Sequence, residues 1–300
     1  MFIIFILFSF LIIAPSTGQN LVMNPDFEEY WPHKIYYSDI DTFAAKNWYS
    51  IYSSYYSTVD YFIKGNRIPS RNVPNNSLGY HPAHSGKAYA GFIPLCIGGG
   101  REKTYMEFIT GTICEPLKKD KKYEVSFYIK QGGNKCGIYS TKLEVSFSSD
   151  SKFFKIKNKI SLYDYEYSFY QNVFAEKKIT ADIIYDNIPL LYDTSSWIKL
   201  SNIYTARGGE KYITIGLFYQ GKEISKRISK MSDEYQKKFF KPNKRKKILK
   251  NIDKQKIPFI KYNPNYEIKK WIVGRKVIDH QPDFGYYFID DVSVELIKEK

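Results

Sequence analysis

Cysteine is nearly missing from this chain. Its 300 residues hold three, Cys96, Cys114 and Cys136. Their spacing matches no zinc-ligand pattern. An exported chain could pair two of them, or all three could stay as buried or incidental thiols; both readings remain open. Histidine is scarce too, with four scattered residues (His33, His81, His84 and His280). No motif ties an acid to His81, His84 and Ser85, so a Ser–His–acid hydrolase is not expected. The Gly98–Gly100 triplet has no Gly-Lys-Ser after it and no strand–helix unit around it, which excludes a phosphate-binding loop. Basic excess is missing from most of the chain. Nineteen Lys or Arg face five Asp or Glu between Gly221 and Lys276, which equals the whole net charge of +14. The remainder is balanced, so basic character belongs to one segment, not to the body.

Long apolar runs are confined to the start. Residues 1–14 read MFIIFILFSFLIIA, followed by Pro15, Ser16, Thr17 and Gly18. This is the pattern of a secretory signal peptide over residues 1–18, with cleavage after Gly18 or Gln19, although no Lys or Arg opens it. The run is short for a membrane span, and no Cys stands at the cleavage point to accept a lipid. A secreted or cell-surface location follows, with no transmembrane span in the mature chain.

Aromatic residues are abundant, with 28 Tyr and 21 Phe, and they favour strands. Phe284 to Ile297 (FGYYFIDDVSVELI) alternates with period two. Phe288, Asp290, Val292, Val294 and Leu296 fall on one parity, which predicts a strand with a core-facing side that also carries Asp290. Tyr123 to Lys130 alternates in the same way, with Val125, Phe127 and Ile129 on one face. Lys87 to Ile93 is a strand whose small residues permit close packing. Ser196 to Ala206 and Lys211 to Tyr219, joined by Gly208-Gly209, read as the best hairpin, anchored in the core by Trp197, Ile213, Ile215 and Leu217. Leu21 to Glu28 is a first strand, and the two chain ends are expected to be neighbours. Short strands and glycine turns predict an all-β, antiparallel jelly-roll β-sandwich spanning residues 19–300 as one domain. Residues 148–192 form a Tyr-rich excursion. Residues 221–276 form a Lys-rich basic insertion. Within the insertion Ile224, Ile228, Met231 and Tyr235 keep a helical period. The insertion is expected to be dispensable for folding, because its charge repels itself and its period differs from its surroundings.

Asp290 and Asp291 fall on opposite strand faces, and Asp26 and Glu28 share a face without an identifiable aromatic cleft. Neither pair suits the two carboxylates of a glycosidase, and the chain is not expected to be an enzyme. Two other functions remain. The first is a structural or assembly role, docking on an envelope or surface protein. The second is a carbohydrate-binding module for a surface or environmental glycan, with Trp48, Tyr49, Tyr52, Tyr55 and Tyr56 as aromatic platform. Residues 221–276 could meet an anionic surface. Nucleic acid is disfavoured, because no aromatic interleaving suits base stacking.

Seven segments carry a family resemblance: NLVMNPDFEEY (residues 20–30), AKNWY (45–49), VDYF (59–62), VPNNSLGYHPAHSGKAYAGF (73–92), YEVSFYI (123–129), DTSSWIKLSNIYTARGGEKYITIGLF (193–218) and YYFIDDVSVELI (286–297). Together they resemble the exported jelly-roll module at the front of many Bacteroidetes cell-surface proteins. Some of those continue into an OmpA-like or sorting domain, which is not seen here after Ile297. The wider likeness is to the galactose-binding-like class, which includes carbohydrate-binding modules. The resemblance implies that fold and an exported location. It also implies a structural calcium ion joining the chain ends, held by Glu28, a backbone carbonyl at Lys87, and Asp290 or Asp291; the residues themselves add an oxygen of Asn24 or Asp26 as a candidate. Oxygen-only donors suit that ion. The alternative from the residues themselves is that these acids meet Lys, Arg or backbone N–H groups.

Overall fold

The computed structural model describes residues 18–35, 43–50, 59–97, 104–150, 180–189, 196–218, 251–252, 256–265, 271–273, 276–278 and 283–298, with scattered positions between 224 and 250. The signal segment before residue 18, the Gly98–Gly100 turn, most of the Tyr-rich excursion and Tyr52, Tyr55 and Tyr56 lie outside them.

The Asp283–Leu296 strand is the longest among the described residues and lies inside a seven-stranded sheet. The order is Ile198–Thr205, Lys122–Gln131, Asp283–Leu296, Ala88–Ile97, Asp60–Lys64 and Asn72–Val73, with Thr104–Tyr105 added on Ala88–Ile97. A five-stranded sheet faces it, in the order Trp48–Ser50, Ile109–Thr112, Tyr212–Gly216, Leu143–Ser148 and Ile183–Tyr185. Pairing within both is antiparallel apart from Asp60–Lys64 with Asn72–Val73. The chain is therefore an all-β sandwich of two main antiparallel sheets, broadly jelly-roll-like.

The core between the sheets follows the alternation. Val125, Phe127 and Ile129 point into it from one sheet, Ile109, Val145, Ile213 and Ile215 from the other, and all are buried. The last strand needs a correction. Asp290 pairs with Tyr128, but Ser293 pairs with Ser126, so one extra residue enters between them. Asp291 takes a left-handed conformation (φ 47°) at this bulge. Tyr287 and Ile289 face the core before the bulge, and Val292 and Val294 face it afterwards. Asp290 therefore does not share the face of Val292 and Val294. It lies on the outer side with Tyr286 and Phe288, which join a separate aromatic cluster containing Phe62 and Tyr89.

The predicted hairpin is also corrected. Ile198–Thr205 pairs with Lys122–Gln131, whereas Tyr212–Gly216 pairs with Ile109–Thr112 and Leu143–Ser148 in the opposite sheet. Gly208 and Gly209, at φ 97° and 90°, carry the chain across. Buried Glu210 holds the crossing: its carboxylate accepts hydrogen bonds from the Tyr204 hydroxyl and from the Arg207 and Gly208 backbone N–H groups. Ile213, Ile215 and Leu217 are core residues as expected. Trp197 instead packs half-buried on the outer aromatic cluster.

The chain ends meet. The Asn20 side chain donates to the Val292 carbonyl and accepts from the Val294 N–H. Leu21 N–H donates to the Val294 carbonyl, while Met23 N–H donates to Thr112 in the other sheet. The segment thus straddles both sheets instead of forming the expected strand, turning at Asn24 (φ 53°) and Phe27 (φ 59°). None of the three cysteines forms a disulfide. Burial raises the Cys136 thiol to about 12.

The basic insertion is not an appendage. Ile228 and Met231, on helical backbone, pack with Ile252, Ile257, Phe259 and Ile260 against Leu95, Met106, Phe108, Ile138, Leu217 and Phe218. Ile260–Tyr262 also adds a strand to Ile138–Ser140.

Candidate functional site

Asn24 organises one end of the sandwich. Its amide donates to the Glu29 and Lys46 carbonyls at 2.7 and 2.9 Å, and its oxygen accepts from Glu29 N–H at 2.8 Å. A bridge between Tyr30 and Ala45 completes the clasp. Trp48 is buried beneath it. Its indole N–H donates to the Asn24 carbonyl, and its ring meets Phe27 at 4.7 Å. The same ring lies over Gly111, where a Cβ would come within 2.8 Å of it. Trp48 is therefore a core residue and not part of a platform; alternation along Trp48–Ser50 turns it inward and Tyr49 outward.

The clasp carries exposed apolar groups on its surface. Trp31 is 45% exposed, Tyr49 42% and Met23 36%. Lys46 and Lys34 place their ammonium groups 5.2 and 5.9 Å from the Trp31 ring centre, and the His33 ring lies 6.2 Å from it. A large exposed indole on backbone held by three side-chain hydrogen bonds can offer a flat apolar face at little ordering cost. Tyr49 is the one member of the expected platform that the described residues place at the surface.

The acids at the chain ends gather around residues 84–88. Glu28 Oε1 accepts from the Lys87 and Ala88 N–H groups at 2.6 and 2.8 Å. Gly86 permits this approach, since a Cβ there would collide with the Glu28 carboxylate. Asp290, fully buried, accepts from His84, Ser85 and Asp291 N–H groups. Asp291 accepts from the Ser85 hydroxyl and contacts His84 Nδ1. The bulge thus ties to His84 and Ser85 an acid that no sequence motif connects to them. Ser85 donates to Asp291 and not to His84, which is not the order of a nucleophile and its base. The His84 ring stacks on Tyr128 at 3.6 Å. Asp26 accepts a long bond from Glu28 N–H, and the Lys87 carbonyl accepts from Lys64 N–H. Among the described residues no three His, Cys, Asp or Glu side chains form a metal-holding group.

Burial raises the Asp290 carboxyl to about 8, the Asp291 charge adds to the rise, and the three N–H donors oppose it. The neutral form is thus favoured by folding. Its contribution to stability is full below the ordinary carboxylate range and is lost as pH rises through about 8. Asp290→Asn should therefore cost most stability near pH 4 and progressively less towards pH 9, read as the melting-midpoint difference from the parent. A pH-independent difference would show that Asp290 does not carry the linkage.

No family model and no curated protein matches the chain. Solved structures do, at low identity. The chain is similar to the CBM22-1 xylan-binding domain of Xyn10C from Paenibacillus barcinonensis, at 10% identity and TM-score 0.35, with 96% of this chain and 100% of that one covered. It is also similar to the K1 cleaved adhesin domain of Lys-gingipain from Porphyromonas gingivalis W83, at 11% identity and TM-score 0.37, covering 94% and 100%. The likeness to the K2 adhesin domain of the same protein is 9% identical, with TM-score 0.36, and covers 93% and 99%.

Sequence reasoning missed Trp31, Lys34 and Lys46. The signal was present in part: Trp31 heads a Trp-Pro-His-Lys run outside any alternating segment, where a tryptophan has no strand face to bury it. Its setting over Lys46 depends on the clasp and has no local signature. Among the described residues no helix is long and apolar enough to cross a membrane.

Proposed function

We propose that the chain is a non-catalytic, exported glycan-binding module, and that Trp31 and Tyr49 are its binding aromatics. The observation that carries the reading is that Trp31 and Tyr49 are both exposed, on segments close in sequence to the Glu29 and Lys46 backbone that Asn24 ties together. Sugar rings present C–H faces that stack on such groups, and aromatic residues bring contact area at low conformational cost. Trp31→Ala and Tyr49→Ala should each weaken binding to a recognised polysaccharide by about tenfold or more, the loss typical of a hot-spot ring, with melting unchanged. Affinity electrophoresis across a polysaccharide panel provides the measurement. Undiminished binding in both variants would move the site elsewhere. The assembly role is the second reading, favoured by the same exposed rings, which serve protein contacts equally well. Co-purification of an envelope protein that persists under glycan competition would select it.

A structural calcium ion is a separate proposal. Glu28, Asp290 and Asp291 would hold it, with a backbone oxygen near residue 87. It is supported by the convergence of the three carboxylates on residues 84–88 and by the cost of ionising Asp290 without a cation. Bound to the folded state alone, the ion must raise stability. Calcium should raise the melting midpoint of metal-stripped protein, and Glu28→Ala should remove the rise; a midpoint indifferent to calcium and chelator rejects the ion.

A further inference from the structure

The cations around Trp31 bear on what kind of glycan would fit. Lys46 and Lys34 both place an ammonium group near its ring, so a sugar stacked on the indole would lie within reach of positive charge. Burial lowers the Lys34 pKa, so its ammonium is already short of water and has more to gain from an anion. The acid paired with this group is Glu29, 3.8 Å from Lys46 and with a side chain 65% exposed. Such an exposed pair is weak and readily exchanged. Among the described residues no carboxylate lies within ion-pair distance of Lys34. The backbone under Glu29 and Lys46 is held by Asn24, so the charges cannot simply swing apart with the loop. A neutral sugar would cover the ring beside two ammonium groups without answering either.

We infer that the Trp31 site takes an acidic glycan, one bearing carboxylate or sulfate groups, with its ring against Trp31 and its anionic group between Lys34 and Lys46. The inference rests on the glycan-binding reading above. It is distinct from the Lys-rich insertion, which could hold polyanions by charge alone.

The test measures dissociation constants of the whole secreted chain for polygalacturonate, chondroitin sulfate, neutral dextran and double-stranded DNA. Lys34→Gln and Lys46→Gln should each weaken acidic-glycan binding by about three- to fivefold, as expected for partly exposed charges. Lys46→Arg should restore it, and Lys247→Gln in the insertion should leave it unchanged. Added salt should weaken binding, since charges are screened over about 8 Å at physiological ionic strength. Melting of each variant should match the parent, because the substituted ends are at the surface. Binding to neutral glycans that is lost in Trp31→Ala but indifferent to both lysines would overturn the acidic specificity and leave the glycan reading standing. Polyanion binding, DNA included, that ignores Trp31 and both lysines would overturn the inference in favour of charge on the insertion. Failure to bind any glycan would overturn both.

Discussion

Replacing residues 222–270 by a short Gly/Ser linker should abolish the cooperative melting of this protein or lower its midpoint by about 10 °C or more. This reverses the expectation drawn from charge. Ile228, Met231, Ile252, Ile257, Phe259 and Ile260 are buried, and each such side chain contributes on the order of 1.5–3 kcal/mol. Their removal is offset in part, because the deleted residues no longer have to be ordered. The surface left behind has no such offset. Met106, Phe108, Ile138 and Phe218 would lose their cover and face water, and Ile138–Ser140 would lose its partner strand. Circular dichroism melting of the deletion variant is the measurement. A second variant, Ile228→Asp with Met231→Asp, keeps the chain length and every lysine and should show the same direction. Parent-like melting of both would return the insertion to the status of a solvated loop.

Ile215→Ala should destabilise the chain by about 2–5 kcal/mol, the cost of a buried cavity that its surroundings cannot close. Ile215 is fully buried between Val145 and Ile109, its register partners on either side in the five-stranded sheet. Those neighbours are held by their own strands, so relaxation into the space is limited. Ile203→Ala is the matched control. Ile203 lies on the edge strand and is 58% exposed, so its truncation should cost within about 0.5 kcal/mol. Denaturant titration resolves the two. Equal costs would place Ile215 outside the core and invalidate the register of Tyr212–Gly216.

Some of this was legible from residues alone. Period-two alternation is a local signal, because successive side chains of a strand point to opposite faces wherever the strand goes. Val125, Phe127 and Ile129, and Ile213 and Ile215, were therefore placed correctly without knowing their neighbours. The helical spacing of Ile224, Ile228 and Met231 is equally local, as are the small residues of Lys87 to Ile93 that permit close packing: the Tyr286 side chain lies against Gly91. The contact of Asn20 with Val292 and Val294 agrees with the expectation that the acid-bearing chain ends are neighbours.

The tertiary structure decided what depends on partners distant in the chain. One extra residue at Asp291 inverts the faces of the last strand without altering its composition, so Asp290 could not be assigned to the outer side by counting. A glycine turn serves a hairpin and a sheet-to-sheet crossing alike, and only pairing with Lys122–Gln131 on one side and Leu143–Ser148 on the other distinguishes them. Charge told of the insertion's solvated surface but not of the apolar groups it lays on Phe108 and Phe218. Trp31 and Trp48 are the same residue type seventeen positions apart. One is exposed and one buried because Asn24 binds Glu29 and Lys46 together above Trp48, a closure made by hydrogen bonds across the chain that no local pattern encodes.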